Sequence, residues 1–318
     1  MALPGAANPA LVDARAILAV PGVLAVSCHG LVGIADSGDG VLLVDRAALP
    51  ASAFGLSAQC WQYARRHPAD RSMQTVNVLC IKWGKKYGPD YVNKLRAMVA
   101  RHLSRPHRFV CLTDDAAGID PAIEVREIPK VGFADFDQRL PWTFAHGWLK
   151  LTSFADPLYD LSGPTLFIDL DVVIVDSIDC FFDEPGEFLV IKEWDKRDET
   201  GNTSVYRYVI GAHADALEQL KTDKDKAMAG VRNEQEYITQ RVAKQGRLKY
   251  WPEGWCVSFK RHCMRKGLLG WFLPARIPPG AKIVAFHGKP NPPDAIEGRS
   301  GKWYRRVLPV QWVADNWR

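Results

Sequence analysis

Asp169 and Asp171 stand two residues apart inside the apolar run 165–179, TLFIDLDVVIVDSID, where a buried strand would otherwise be expected. Two carboxylates at i and i+2 project to the same side of an extended segment. Without a partner they repel and raise each other's pKa, so the spacing implies a cation between them. A hard divalent ion with oxygen ligands, Mg2+ or Mn2+, suits the pair best. The plainer alternative is that one aspartate caps a turn while the other faces solvent.

An acid pair needs a rigid edge to sit on, and the residues after Met73 supply one. TVNVLCI (75–81) has strand character, PDYVNKLRAMVARHL (89–103) is an amphipathic helix opened by Pro89, and HRFVCLTDD (107–115) is a second strand ending in acids. Strand, helix and strand make a βαβ unit. Its parallel sheet binds ligands at the carboxyl edge, here near Lys82–Gly84 and Thr113–Asp115. IEVREIP suggests a short third strand, and FAHGWLKLTSFADPLYDL a helix leading into the acid-bearing strand. EFLVIKEW and SVYRYVIGA follow as strands, ADALEQLKTDKDKAMAG and NEQEYITQRVAKQG as helices, and AKIVAFHGKP as a last strand ending in His287. The expected fold class is α/β.

At 318 residues and 47% hydrophobic, the chain can bury one large α/β domain or two smaller ones. Residues 1–72 are Ala-, Gly- and Pro-rich, with no sustained period apart from a strand at Val41–Val44. They are expected to form an extension, weakly ordered or separately packed, before a main domain over 73–318. The longest uncharged run, Ala16–Ala35, is broken by Pro21, Gly22, Gly30 and Gly33, which argues against a membrane helix, and no basic segment precedes it as in a secretory signal. Seven cysteines without a C-x-x-C pair point to a reducing compartment, the cytoplasm. From Arg241 to Arg318 there are 16 Lys and Arg against four acids, interleaved with tryptophans. Such a surface suits an anionic membrane, a phosphorylated substrate or nucleic acid, or is simply a solvated face over a Trp-rich core.

Two enzyme classes end an apolar strand in Asp-x-Asp. DLDVV satisfies the D-x-D-x-[TV] pattern of haloacid-dehalogenase-like phosphatases, in which Asp169 would be the nucleophile and Asp171 the acid/base. That motif usually opens its domain, whereas a whole βαβ unit precedes it here. The position instead resembles the GT-A nucleotide-sugar glycosyltransferases. VAFHGKP looks like a shortened H-x-x-G-x-x-K-P motif of the family 8 retaining glycosyltransferases, and the resemblance runs from about Gln74 to Asn291.

That resemblance implies a GT-A fold, with a Rossmann-like nucleotide-binding half and a mixed central sheet, as a single catalytic domain over 73–318. It implies Asp169, Asp171 and His287 as metal ligands, Lys289 on the diphosphate and Lys150 reaching the donor. GNTSVYRY resembles the F-N-[SA]-G segment without its Phe and Gly, which would put Asn202 and Ser204 at the donor sugar. NEQEY resembles D-Q-D, with Gln235 near the reacting face and Glu234 and Glu236 in place of the acids. In IKWGKKYG, Trp83 or Tyr87 would stack on the base and Lys82 would meet phosphate, while Asp114 or Asp115 would accept from base or ribose. Each of these residues is equally compatible with packing.

The implied activity is metal-dependent transfer of a sugar from a nucleotide-diphosphate donor, a UDP-sugar above all, to a hydroxyl of a saccharide or glycolipid acceptor, with retention of configuration. Mn2+ or Mg2+ and basic side chains would neutralise the leaving diphosphate, with Asp171 and Gln235 carrying catalysis. Loops Trp142–Trp148, Trp251–Cys256 and Trp303–Trp317 are expected to meet the acceptor. Nucleic acid is not expected as a partner. Contact of the basic third with the anionic inner face of a membrane would bring a cytoplasmic enzyme to lipid-linked acceptors. From a different class, a protein that binds nucleotide-sugars or polyanions without turnover would show steep salt dependence and no metal requirement.

Overall fold

The computed structural model describes residues 24–28, 31–35, 41–45, 74–132, 144–196, 198–265, 267, 269–300 and 307–318, with the first three segments and residues 144–146 and 269 described by backbone alone. The chain divides into two units, Met1–Gln74 and Thr75–Arg318. In the first, β1 (Leu24–Cys28), β2 (Leu31–Ala35) and β3 (Val41–Asp45) pair antiparallel in chain order. Cys28 lies opposite Leu31, and Ala35 opposite Val41. Sequence patterning indicates only β3, because Ala, Ser and Gly interrupt the alternation in the other two.

The second unit is built on β4 (Val76–Lys82), β5 (His107–Thr113), β6 (Glu124–Glu127), β7 (Pro164–Ile168), β8 (Val172–Ile174), β9 (Phe188–Lys192), β10 (Gly201–Val209), β11 (Leu248–Tyr250), β12 (Cys256–Ser258) and β13 (Ile283–Ala285). Seven of them form a sheet in the order β11-β9-β10-β7-β4-β5-β6. β7, β4, β5 and β6 run parallel, β10 runs antiparallel to both β7 and β9, and β11 runs parallel to β9. The fold is α/β with a mixed central sheet. Among the described residues no helix is long and apolar enough to cross a membrane.

Side chains of the central strands alternate strictly between two cores. Val76, Val78 and Cys80 of β4 face one core with Phe109 and Cys111 of β5, while Leu79 and Ile81 face the other with Val110 and Leu112. A strand buried on both faces reads as a continuous apolar run, which is why β4 and β5 are legible. The helix Pro89–His102 covers the first core through Val92, Leu95, Met98 and Val99. Pro89 opens it, and Asp90 in its first turn and Arg101 in its last complement the helix dipole.

The expected strand through 165–179 is in fact two. β7 ends at Ile168, the chain turns at Leu170–Asp171, and β8 joins a separate three-stranded sheet, β12-β13-β8. The helix expected over 214–230 likewise divides into Ala214–Thr222 and Lys224–Met228, because Asp223 leaves the helix and its side chain accepts from the Lys226 N–H. The segment before β7 forms a 3-10 helix, Phe144–Phe154, seated on the second core by Trp148, Leu149 and Leu151.

Candidate active site

The turn that carries the two aspartates is pinned at both ends. The Asp169 N–H donates to the Ser204 carbonyl of β10 at 2.8 Å, while the Asp171 carbonyl accepts from the Phe286 N–H at 2.9 Å. One acid is thus tied to the large sheet and the other to the small sheet. Both line a cavity of about 200 Å³ at the carboxyl ends of β4 and β7. Trp83, Lys86 and Tyr87 line it from the loop after β4, Lys150 from the 3-10 helix, and Glu234 from the helix Glu234–Lys244. This is where parallel α/β sheets hold ligands.

Lys150 Nζ donates to Asp169 Oδ2 at 2.8 Å and to the Thr203 carbonyl at 3.3 Å. Tyr87 donates its hydroxyl to Asp171 Oδ2 at 2.6 Å. Burial, and then the neighbouring Asp169 charge, push the Asp171 carboxyl up to about 6, against the opposing pull of Tyr87, Lys86 and Lys150. Burial by itself would lower the Lys150 ammonium, but Asp169 and Glu234 overcome it and the net shift is upward. Burial raises the Glu234 carboxyl as well. Gly147 permits this crowding, since a Cβ there would stand 3.1 Å from Glu234 Oε2. The cavity is therefore lined by three acids (Asp169, Asp171 and Glu234), three lysines (Lys82, Lys86 and Lys150) and two aromatic side chains.

Other expected residues take different positions. Lys82 lines the cavity, yet its Nζ donates to the Asp115 carbonyl at 3.0 Å. Asp114 accepts from the Gly84 N–H at 3.0 Å and so braces the loop that presents Trp83, where Gly84 adopts φ 59°. Asn202 is buried, donating to Glu193 and accepting from the Ser204 N–H. Gln235 Oε1 accepts from the Thr203 N–H at 2.9 Å, so its neighbour Glu234, not Gln235, lines the cavity. Lys289 is 65% exposed, with Asp294 3.9 Å away.

His287 does not join the aspartates. Its Nε2 shares a 2.6 Å hydrogen bond with Ser258 Oγ, and its ring stacks on Trp194 at 5.6 Å. The cause is register: Ala285 lies opposite Val172 and Phe286 opposite Asp171, so His287 falls beyond the aspartate that Phe286 faces. Burial, then Lys260, Arg261 and His262, depress the imidazole to about 4 and keep it neutral. Among the described residues no group of three or more His, Cys, Asp or Glu side chains is assembled around a common point. Of the charged residues lining the cavity, Lys86 is one that sequence patterning did not name, though it sits beside Tyr87; Glu234 was named only as standing in place of a D-Q-D acid.

Trp194 also borders a second cavity of about 580 Å³ at the carboxyl ends of β9 and β11, with Glu193, Tyr250, Trp251 and Glu253. Of the expected acceptor loops, Trp251–Cys256 contributes to it. Trp142 and Trp303 lie outside the described residues.

No protein-family model matches the chain, and no curated protein matches it in sequence. Among solved structures it is similar to the crystal structure of the galactosyltransferase LgtC in complex with donor and acceptor sugar analogues. The identity is 13% and the TM-score 0.48, over 75% of this chain and 99% of that one.

Proposed function

We propose that this protein is a metal-dependent glycosyltransferase that moves a sugar from a nucleotide-diphosphate donor to an acceptor hydroxyl. One observation carries the reading: the cavity at the carboxyl edge combines an aspartate pair, three lysines and two aromatic side chains, the kind of set a nucleoside diphosphate requires. Trp83 and Tyr87 offer surfaces for a base, and Lys86 and Lys150 offer charge for phosphates.

Asp169 and Asp171 fit a hard divalent cation, because both are oxygen donors facing one polar cavity and each is already engaged by a proton donor that a cation could replace. They would hold Mg2+ or Mn2+, which when bound would neutralise charge on the leaving diphosphate. His287, tied to Ser258, would have to leave that bond to ligate. Glu234, which lines the same cavity, would meet hydroxyls of the donor sugar. The second cavity, with Trp194, Tyr250 and Trp251, is suited to the apolar faces of a saccharide acceptor, with Glu193 and Glu253 for its hydroxyls.

The test is release of UDP from a panel of UDP-sugars with saccharide acceptors, with and without chelator. Metal-dependent, acceptor-stimulated release supports the proposal, and product with the anomeric configuration retained supports its family 8 form. Phosphomonoester hydrolysis in Mg2+ without any sugar transfer would replace it with the phosphatase reading.

A further inference from the structure

Five large apolar side chains are exposed among the described residues, and three of them are consecutive: Trp271 at 49%, Phe272 at 77% and Leu273 at 43%. We propose that Trp271, Phe272 and Leu273 form a wedge that docks this protein on an anionic lipid surface. The inference stands apart from the reaction proposed above.

The wedge is held out by a fixed base. The Arg276 N–H donates to the Cys263 carbonyl at 3.0 Å, closing the excursion between them, and Trp312 Nε1 donates to the Ala275 carbonyl at 3.0 Å. Ala275 and Cys263 are buried in the core. Gly270 packs so closely that a Cβ there would stand 2.6 Å from the Arg265 carbonyl, which fixes the backbone just before Trp271. Exposure of the three side chains thus results from a built loop.

Charge identifies the partner. From Gly254 to Pro293 the sequence carries seven Lys and Arg and no Asp or Glu; Arg261, Lys282 and Lys289 pair with Asp195, Asp176 and Asp294 from outside the segment, so the cations that bear on lipid are those next to the wedge. Arg276 is exposed three residues beyond the wedge. Trp and Phe beside basic residues are the chemistry of the bilayer interface: the rings enter the headgroup region while the cations meet anionic lipid. A second copy of the chain would bring its own acid-free excursion against this one, so like charges oppose self-association through this face.

The experiment is co-sedimentation of the full chain with vesicles of phosphatidylcholine alone or mixed with phosphatidylglycerol. The wild type should partition onto the anionic vesicles and release as salt rises. Phe272→Ser should weaken partitioning by about tenfold or more through lost apolar burial. Arg276→Gln should weaken it by roughly fivefold, and only on anionic vesicles. Unchanged circular dichroism and unfolding midpoints will show that both exposed-site variants fold. Equal partitioning of the wild type and Phe272→Ser, or no sedimentation of the wild type with either vesicle, would overturn the proposal. So would a solution dimer that Phe272→Ser dissociates, since the patch would then belong to a second copy.

Discussion

His213, at the entry to the helix Ala214–Thr222, makes the fold acid-labile in a way that can be measured. It is only 2% exposed, its ring meets Phe154 and Phe188 edge-on at 5.9 and 5.2 Å, and among the described residues its Nε2 has no hydrogen-bond partner. Burial, then the nearby Arg247, depress the imidazole from 6.5 to about 4, with Asp215 opposing and Arg241 adding a smaller downward push. Between those pH values the unfolded chain binds a proton that the folded chain refuses. The stability contributed by neutral His213 is therefore complete above pH 6.5 and is lost as pH falls toward 4. At about 1.4 kcal/mol for each tenfold in proton affinity, the loss totals roughly 3 kcal/mol. Urea unfolding of the wild type and of His213→Leu across this range isolates the effect, because carboxylates and other histidines titrate alike in both. The wild type should lose roughly 3 kcal/mol of stability relative to His213→Leu as pH falls. His213→Gln serves as a second non-titrating variant if the leucine fits poorly. Parallel pH profiles for the wild type and both variants would refute the reasoning.

Three further outcomes follow from the geometry. Lys150→Met leaves Asp169 facing Asp171 without its 2.8 Å partner and should cost roughly 3 kcal/mol in urea unfolding as well as most donor affinity. Gly201→Ala places a Cβ 2.6 Å from Val190 Cγ1 and 2.7 Å from Thr239 Cγ2, and should lower the stability measured by urea unfolding by about 1–3 kcal/mol. Asp171→Asn keeps the Tyr87 hydrogen bond available through its amide oxygen, so it should abolish sugar transfer while leaving the circular dichroism unchanged.

How much of this was legible in the sequence depended on element length and on register. The β4–helix–β5 unit could be read because its strands are buried on both faces and its helix carries Val92, Leu95, Met98 and Val99 on one side. Strands β8, β11, β12 and β13 span three residues each, too short for any period to show. The break at Leu170–Asp171 was hidden because apolar residues (Leu166–Ile168 and Val172–Ile174) flank it on both sides, and the acids mark the seam between two sheets. The aspartates, Lys150, Trp83 and Tyr87 do converge on one cavity. His287 does not join them, because the pairing of β8 with β13 sets Phe286 opposite Asp171 and Ser258 then holds the imidazole, a long-range fact that no local pattern encodes. Glu234 rather than Gln235 lines the cavity for a similar reason: the Thr203 N–H on the neighbouring strand captures the glutamine side chain.

The central claim is a metal-dependent nucleoside-diphosphate site at Asp169 and Asp171, and calorimetric titration with UDP tests it most directly. Binding should require Mn2+ or Mg2+, disappear on addition of EDTA, and be absent in Asp171→Asn. UDP binding that is indifferent to chelator and to Asp171→Asn would contradict the metal site, and no binding of any nucleoside diphosphate would contradict the glycosyltransferase reading itself.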